Sequence, residues 1–440
     1  MTRATLLPVL AMLFSPLAAT AADTATDSEE KNRVLVLRGV RIFDGSGDTM
    51  SPSGTIVIDG EVISSVSFDK NTSVPDEALV LDLEGQYVIP GIIDAHVHVS
   101  HDSRDETEDA LAQALAGGVT SVRDMGGDAR RLASLKRDAQ LGEIESPDIY
   151  YSALFAGPSF FDDPRVIDVT RGVEPGEAAW ARAITSETDL QQVVAEAKGS
   201  GASAIKIYTD LEADLIGAIT SAAHAQDMKV WSHSVVFPTR PGDVVSAGID
   251  VISHSSGFYW EVADQVPSAF GPHRRLEFER GASSRPEFAP LFEEMRNRGT
   301  ILDATIFVIQ HSSDHAPKGE GKKRRTQRLE FANEITRAAY RSGVLIAAGS
   351  DNMIDKDKAF PIIHDELRLL VENCGLSPAA ALRSATSINA RALGIDGNTG
   401  YIQEGKQADL VVLSANPLED IGNTRSVRFV IERGRLHVRQ

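Results

Sequence analysis

The sequence has a single cysteine, Cys374, among its 440 residues. An intrachain disulfide is therefore excluded, even if the protein folds in an oxidising compartment. Cys374 follows a helical pattern over residues 363–373, and a small buried core residue is the simplest interpretation. A nucleophilic thiol would need a partner histidine and an electropositive setting, and the sequence indicates neither.

Basic residues are scarce relative to acidic ones. The chain has 44 Lys and Arg against 63 Asp and Glu, for a net charge of −19. No basic stripe could offset this excess, so phosphate backbones and anionic membranes would be repelled. We expect a soluble protein that acts on a small-molecule substrate and binds no nucleic acid; a homo-oligomer is left open.

Long hydrophobic runs are missing apart from one at residues 6–17, which is too short for a membrane span. Arg3 precedes this run and small residues follow it at 19–21, which is the pattern of a secretory signal peptide. We predict a signal peptide over residues 1–21, a polar leader over 22–32, and a periplasmic or secreted protein. A buried N-terminal helix is the alternative. No cysteine stands directly after the predicted cleavage site, so we expect no membrane anchor.

Both ends of the remaining chain are rich in β-type residues. Over residues 33–87, short apolar runs are separated by turn signals such as Asp59-Gly60, a favoured hairpin turn. Residues 397–440 show the same pattern. We predict that the two ends together form one small β-sandwich domain.

Residues 88–396 alternate between β-type runs and helical patterns. Eight successive βα units predict an α/β protein with a closed (β/α)8 TIM-like barrel. The predicted strands are 92–99, 121–125, 149–154, 204–208, 229–233, 251–255, 301–306 and 345–350, and the predicted helices include 107–116, 190–198, 211–225 and 327–341. Two long connections, 155–188 and 256–285, are expected to overhang the catalytic face.

His96 and His98 close the first predicted barrel strand. Alternation along a strand points both imidazoles to one side, here the barrel interior. Two neutral ring nitrogens on one rigid element are the first half of a zinc site. A His-x-His pair alone is weak evidence, so the hypothesis depends on ligands from other strands.

Those further candidates lie at the carboxyl ends of other strands. His233 ends the fifth predicted strand, His254 lies at the end of the sixth, and Asp351 follows the eighth. Barrel active sites are built at these ends, so the placement favours one converging site. Each residue alone would fit equally a core histidine or a capping aspartate.

Lys206 lies inside the apolar fourth strand, where an unpaired charge is costly. Burial lowers the pKa of an amine, and a neutral amine can capture carbon dioxide as a carbamate that bridges two cations. The alternative is an ion pair with Asp94 or Asp351. Tyr208, two residues along, is expected to point inward as well, within reach of substrate or an oxyanion.

Several motifs resemble the amidohydrolase superfamily, particularly its imidazolonepropionase-like group, which includes Xaa-Pro and Xaa-Arg dipeptidases with a carboxylated lysine. The matching segments are VIPGIIDAHVH at 88–98, ALAGGVTSVRD at 114–124, GSD at 349–351, the helix at 379–394 and GYIQEGKQADLVVL at 400–413. The resemblance spans nearly the whole chain after the predicted signal peptide.

The resemblance implies a binuclear centre that holds two divalent metal ions, with zinc expected and manganese or cobalt left open. The implied ligands are side chains from five barrel strands: His96, His98 and Asp351 for one metal, His233 and His254 for the other, and Lys206, carboxylated by carbon dioxide, as the bridge. A hydroxide between the metals would be the nucleophile. Asp351 would act as base and then acid, and His254 or Tyr208 would assist the oxyanion.

The chain departs from these dipeptidases after the third strand, where residues 156–164 replace a Gly-Gly-His type segment. The leaving group is therefore open. Arg165 and the His-Arg-Arg segment at 273–275 are candidates for binding a substrate carboxylate; the alternative is that they are solvated loop charges.

The remaining histidines are expected outside the metal site. His101, His311 and His315 are predicted to be surface residues, the last two in a polar loop. His364 is expected either to support a metal ligand or to stabilise the start of a helix.

We predict an amide hydrolase that acts on dipeptides or N-acyl amino acids. Hydrolysis of a cyclic amide, lactone or ester by the same centre is the first alternative. A mononuclear deaminase is less favoured, because it would not need the lysine on the fourth strand. A non-catalytic barrel that serves as a binding scaffold is the last alternative, which loss of ligands would favour.

Overall fold

The computed structural model describes residues 34–69, 74–271, 281–352 and 358–438. The predicted signal peptide, the polar leader and the segment 273–275 lie outside these residues. The exported location therefore stays a prediction. Within the described ranges, no helix combines the length and apolar character that a membrane span requires.

The strands, in chain order, are β1 (Leu35–Ile42), β2 (Ser53–Asp59), β3 (Val62–Ser67), β4 (Leu79–Asp82), β5 (Tyr87–Pro90), β6 (Ile92–Val97), β7 (Val119–Asp124), β8 (Asp148–Ala156), β9 (Glu177–Ala178), β10 (Ala181–Ala183), β11 (Ala204–Ile207), β12 (Lys229–His233), β13 (Val251–Ser253), β14 (Ile301–Asp303), β15 (Ile346–Ala347), β16 (Leu410–Leu413), β17 (Val427–Glu432) and β18 (Arg435–Val438).

The α-helices are α1 (Arg104–Ala116), α2 (Ala129–Leu141), α3 (Pro164–Val169), α4 (Leu190–Gly199), α5 (Ala213–His224), α6 (Pro241–Ser246), α7 (Tyr259–Val262), α8 (Phe288–Arg298), α9 (Ile306–Asp314), α10 (Glu320–Arg341), α11 (Ile363–Glu372), α12 (Pro378–Ser384) and α13 (Ser387–Leu393). Short 3-10 helices span Pro158–Asp162, Ser255–Phe258, Ala282–Ser284 and Ile421–Arg425.

Eight parallel strands form a nearly closed barrel in the order β6, β7, β8, β11, β12, β13, β14 and β15. Their residues are buried almost throughout, as expected for a parallel sheet covered by helices. Backbone hydrogen bonds from Ala95 N to Ala348 O (3.1 Å) and from Asp351 N to His96 O (2.8 Å) join the first and last strands. The carboxyl ends of all eight strands therefore face one end of the barrel.

The two chain ends form a separate, mainly antiparallel sheet in the order β18, β17, β16, β5, β1, β2 and β3, with β4 paired to β1. The predicted turn at Asp59-Gly60 joins β2 and β3, and Gly60 has the positive φ of 58° that favours glycine there. The fold class predicted from the sequence, a TIM-like barrel with a small domain from both termini, is confirmed.

Three barrel strands are shorter than the sequence predicts. Strand β13 ends before His254, β14 ends at Asp303, and β15 ends well before Asp351. His254, Thr305 and Asp351 have φ values of 72°, 49° and 53°, which extended strands do not accommodate. The chain turns sharply just after these strands, and strained backbone of this kind is typical of functional sites.

The helical predictions also need two corrections. Helix α10 begins at Glu320, not at residue 327. The segment with His311, predicted as a polar loop, is helix α9, because the apolar side chains Ile306, Phe307 and Ile309 are buried on one face. His315 immediately follows this helix.

Candidate metal centre

The strand-end residues predicted as ligands converge at the carboxyl end of the barrel. His96 lies in β6 and His98 follows it, with ring centroids 5.5 Å apart. His96 is fully buried, and His98 Nδ1 is 3.4 Å from the carbonyl oxygen of Gly126. Both rings lie on the inner side of the barrel, as the alternation of the strand predicts.

Asp351 approaches three histidines with its two carboxylate oxygens. Oδ1 lies 3.3 Å from His96 Nε2 and 3.5 Å from His98 Nε2, and Oδ2 lies 3.8 Å from His254 Nδ1. Ligand atoms of His96, His254 and Asp351 all lie within 4.8 Å of one another. These three groups could therefore bind one cation together. The resemblance, in contrast, assigns His96 and Asp351 to one metal and His254 to the other.

His233 and His254 complete the cluster from β12 and β13. Their ring centroids are 4.9 Å apart, and that of His254 is 5.0 Å from that of His96. The His254 backbone donates to the carbonyl of Asp303 (2.9 Å), and its Nδ1 lies 2.9 Å from Thr305 Oγ1. These contacts fix both the main chain and the ring of His254.

Lys206 is buried in β11 with 1% of its surface exposed. Its Nζ lies 3.5 Å from Ser253 Oγ, and within the described residues no ion pair joins it to Asp94 or Asp351. Asp94 instead accepts from the Ser350 hydroxyl at 2.6 Å. Burial lowers the pKa of Lys206 to about 7, so a neutral amine is accessible near neutral pH.

Burial also keeps most of the clustered imidazoles neutral. It lowers the pKa of His96, lowers that of His233 well below its ordinary value, and lowers that of His254 to about 3. His98 differs: burial lowers its pKa, but Asp351, together with Asp124 and the Gly126 backbone, raises it overall. Neutral imidazoles have the lone pairs that a metal ligand needs.

Asp303, at the end of β14, was missed by the sequence analysis. Its Oδ2 lies 2.7 Å from His96 Nδ1 and accepts from Ser253 Oγ (2.8 Å) and Arg123 Nη2 (3.1 Å). Although burial raises the pKa of Asp303, its interactions with His96, including a hydrogen bond, and with the Arg123 guanidinium lower it overall. The sequence does show a charged residue in an apolar strand. It does not show which groups that residue contacts, because they lie far away in the sequence.

Gly349 and Trp231 complete the surroundings of this buried carboxylate. A Cβ at Gly349 would collide with Asp303 and with His96, which accounts for glycine in the GSD motif. The Arg123 guanidinium lies over the Trp231 ring, 4.6 Å from its centroid.

A cavity of about 490 Å³ opens over the cluster. Its lining combines the candidate ligands with apolar and aromatic residues: His96, His98, His101, Met125, Gly126, Leu154, Phe160, Arg165, Val166, Val169, Lys206, Tyr208, His233, His254, Val308 and Asp351. Tyr208 points inward as predicted, with its ring centroid 4.0 Å from that of His233. Burial raises the pKa of the Tyr208 phenol, so it keeps its proton.

Among the described histidines outside the cluster, only His101 lines the cavity. His101 is exposed, as predicted, and its ring lies 5.9 Å from that of His98. His311 and His315 pack against each other at 4.1 Å. His364 is buried in α11, where it contacts Thr424 Oγ1 and the carbonyl of Gly117, so it stabilises the packing of barrel and terminal segments.

The donor set fits divalent cations. Imidazole nitrogens, a carboxylate and a lysine able to form a carbamate are ligands that suit zinc and related ions. A carboxylate at the ring nitrogen that does not bind the metal, as Asp303 provides to His96, is also typical of metal-binding histidines.

Comparison with known proteins places these features in context. Residues 87–436 match the model of the Amidohydrolase family. The enamidase of Eubacterium barkeri is 25% identical over 394 residues, which cover 84% of each chain. The imidazolonepropionase of Picrophilus torridus is 21% identical over 407 residues, covering 84% of this chain and 88% of the relative. A prolidase solved in complex with N-methylphosphonate-L-proline shares 26% identity and a TM-score of 0.70, over 92% of this chain and 100% of that chain.

Proposed function

Because the chain belongs to the amidohydrolase family, whose members act on carbon–nitrogen bonds, we propose that it is a binuclear metal-dependent amide hydrolase. The observation that carries this proposal is the convergence of His96, His254 and Asp351, with ligand atoms within 4.8 Å. Lys206 is buried nearby and forms no ion pair within 4.0 Å of a carboxylate among the described residues, which supports the bridged form of the centre.

The proposed ligands are those implied by the sequence: His96, His98 and Asp351 for one ion, His233 and His254 for the second, and carboxylated Lys206 between them. Two divalent cations, with zinc the expected ion, would supply Lewis acidity that lowers the pKa of water and polarises a carbonyl oxygen. The residues around them must then orient the substrate and move protons.

We assign proton transfer to Asp351. Although burial raises its pKa, the surrounding imidazoles of His96, His98 and His254 hold the pKa below its usual range, so the carboxylate is ionised. An ionised carboxylate can accept the proton of an attacking water and donate it to the leaving amine. Its backbone is fixed by the hydrogen bond to the carbonyl of His96.

Tyr208 is the proposed hydrogen-bond donor to the oxyanion. Because its pKa is raised by burial, the phenol remains a donor at the pH of the reaction. A preorganised donor in a partly enclosed cavity stabilises developing negative charge. His254, which contacts Asp351 and Thr305, is the second candidate for this role.

Arg165 is the proposed partner of a substrate carboxylate. It lines the cavity, and among the described lining residues it is the only arginine. Asp163 binds one edge of its guanidinium, through Nε at 3.0 Å and Nη2 at 2.8 Å, and Tyr208 lines the same cavity. A carboxylate beside the scissile bond is what dipeptides and N-acyl amino acids share, so Arg165 supports this substrate class.

A hydrolysis screen tests the proposal. Zinc-loaded protein is assayed on dipeptides, N-acyl amino acids, cyclic amides and lactones, with Lys206→Ala as the control for background. We expect turnover of linear amides that carry a carboxylate, and none by the Lys206 variant. Turnover of lactones or cyclic amides alone would favour the alternative hydrolase. No turnover of any class would contradict an enzymatic role and favour a binding scaffold.

A further inference from the structure

Three aromatic side chains from three separate segments form a continuous row beside the cavity. The Phe160 ring stacks on Tyr208 with centroids 4.4 Å apart, and Phe270 meets Phe160 edge-on at 6.0 Å. Tyr208 in turn lies against His233. We term Phe160, Tyr208 and Phe270 the aromatic wall. It extends from a proposed metal ligand to the protein surface, where Phe270 is 45% exposed.

One carboxylate holds the aromatic wall together. Asp210 Oδ1 accepts the backbone N–H of Phe270 at 2.7 Å, and Oδ2 accepts the Ser159 hydroxyl at 2.6 Å. Ser159 and Phe270 belong to the two long connections that follow β8 and β13. Asp210, which itself follows β11, therefore fixes both connections relative to Tyr208.

The close approach of these segments depends on a glycine. A Cβ at Gly157 would collide with the backbone carbonyl of Asp210, and Gly157 N donates to the carbonyl of Thr209 at 2.9 Å. The connection after β8 thus packs directly on the residues that follow Tyr208. The row of rings is built into the fold and does not depend on a ligand to assemble it.

The rest of the cavity favours an apolar occupant next to the wall. Leu154, Val166 and Val308 line it, and Asp351 is the only carboxylate among its described lining residues. Offset stacking and edge-to-face contacts give aromatic rings a preference for other planar rings. Phe160 and Tyr208 of the wall themselves line this cavity, so a ligand bound there can contact aromatic rings.

We propose that the aromatic wall binds a planar aromatic side chain of the substrate. The preferred substrates are then N-acyl derivatives and dipeptides whose C-terminal residue is an aromatic amino acid. The C-terminal side follows from Arg165, the proposed carboxylate partner, which lines the same cavity as Phe160 and Tyr208 of the wall. This inference rests on the proposed function and adds the side-chain class that the site selects.

The test compares substrates that differ only in that side chain. N-acetyl-L-phenylalanine, N-acetyl-L-cyclohexylalanine, which has nearly the same size but is not planar, and N-acetyl-L-alanine are assayed with zinc-loaded wild-type protein. Phe270→Leu and Phe160→Leu are assayed alongside, with Phe68→Leu, an exposed residue that follows β3 in the terminal sheet, as the matched control. Thermal unfolding by circular dichroism checks that the buried Phe160 variant is folded.

We expect the highest kcat/KM for the phenylalanine substrate. Each wall variant should lower the phenylalanine-to-cyclohexylalanine ratio by about fivefold, the size of one lost ring contact, mainly through KM, while Phe68→Leu keeps the wild-type ratio. Equal kcat/KM for the three substrates would overturn the proposal. A phenylalanine preference that both wall variants retain would overturn the assignment to this wall.

A binding measurement separates this inference from the proposed function. L-phenylalanine and L-alanine are titrated into the wild-type protein and Phe270→Leu by calorimetry, which needs no turnover. Tighter binding of L-phenylalanine that Phe270→Leu weakens supports the wall even if no amide is hydrolysed. Hydrolysis of amides together with equal affinity for both amino acids would overturn the wall and leave the proposed function standing.

Discussion

The Nδ1 atom of His96 lies 2.7 Å from Asp303 Oδ2, and both side chains are fully buried. A carboxylate at Nδ1 holds the proton there and leaves Nε2 as a free ligand, directed toward Asp351 Oδ1 at 3.3 Å. The orientation of the first proposed ligand is therefore set by a residue 207 positions away in the sequence.

Asp303→Asn should weaken metal binding. The amide keeps the shape of the side chain but lacks the charge that raises the basicity of His96, so we expect zinc affinity to fall by about 10- to 100-fold. Zinc titration against a competing chelator measures this loss. Asp82→Asn, an exposed aspartate paired with Arg38, is the control, and equal affinity in the two variants would show that Asp303 does not act through the metal site.

Thr305→Val should lower activity while Thr305→Ser retains most of it. The Thr305 hydroxyl contacts His254 Nδ1 at 2.9 Å, and valine has the same branched shape without that hydroxyl. Loss of a contact that orients a ligand histidine predicts a fall in kcat/KM of about tenfold or more. Steady-state kinetics on the best substrate of the screen provide the measurement. Identical kinetics for the two variants would show that the Thr305 hydroxyl does not orient His254 for the reaction.

Glu366→Gln should change how stability depends on pH. Glu366 is fully buried in α11 and accepts the N–H groups of Ile306 and Phe307 at 3.0 and 2.6 Å. Burial raises its pKa to about 8 from 4.5. The unfolded chain loses this proton above about pH 4.5 while the folded protein keeps it to about pH 8, so the group's contribution to stability is complete below pH 4.5 and is lost as the pH rises through 8.

The glutamine variant lacks this titration. We expect the free energy of unfolding of Glu366→Gln, relative to wild type, to increase between pH 5 and 8 by up to about 1.4 kcal/mol per pH unit. Urea denaturation of chelator-treated protein across that range tests it. Glu372→Gln, an exposed position of the same helix, is the matched control; a difference from wild type that does not vary with pH would contradict the raised pKa of Glu366.

Arg165→Gln should raise KM for substrates with a free carboxylate. A hydrogen bond to a charged group contributes roughly 1.5–3 kcal/mol, so we expect KM to rise at least about tenfold. The same substrate with its carboxylate converted to an amide should respond much less. Arg171→Gln is the control. Arg171 is exposed, lies just after the short helix α3 and pairs with Asp168 of that helix. Equal effects on both substrates would argue against carboxylate binding by Arg165.

The barrel was predictable because its strands and helices coincide with the apolar runs and helical patterns of the sequence. Strand β12 matches the predicted range 229–233, and β6, β8 and β11 differ from prediction only at their ends. The resemblance to the amidohydrolase superfamily is confirmed as well. Strands β13 and β15 end before their predicted ends. His254 and Asp351 have a left-handed backbone conformation, which the hydrophobic pattern of the sequence does not reveal.

The supporting residues of the site were not predictable for a different reason. Asp303, Thr305, Glu366 and Asp210 act through hydrogen bonds to partners 50 to 207 positions away. A single sequence shows only that a polar residue lies in or after an apolar strand. The predicted ligands were easier to find, because strand-end position is itself a local signal.

Metal stoichiometry tests the central claim most directly. Protein purified after growth with zinc is analysed by inductively coupled plasma mass spectrometry, together with Lys206→Ala. A binuclear centre bridged by carboxylated Lys206 predicts about two zinc ions per wild-type chain and a clear loss in the variant. Fewer than about one metal per wild-type chain, or an unchanged content in Lys206→Ala, would contradict it.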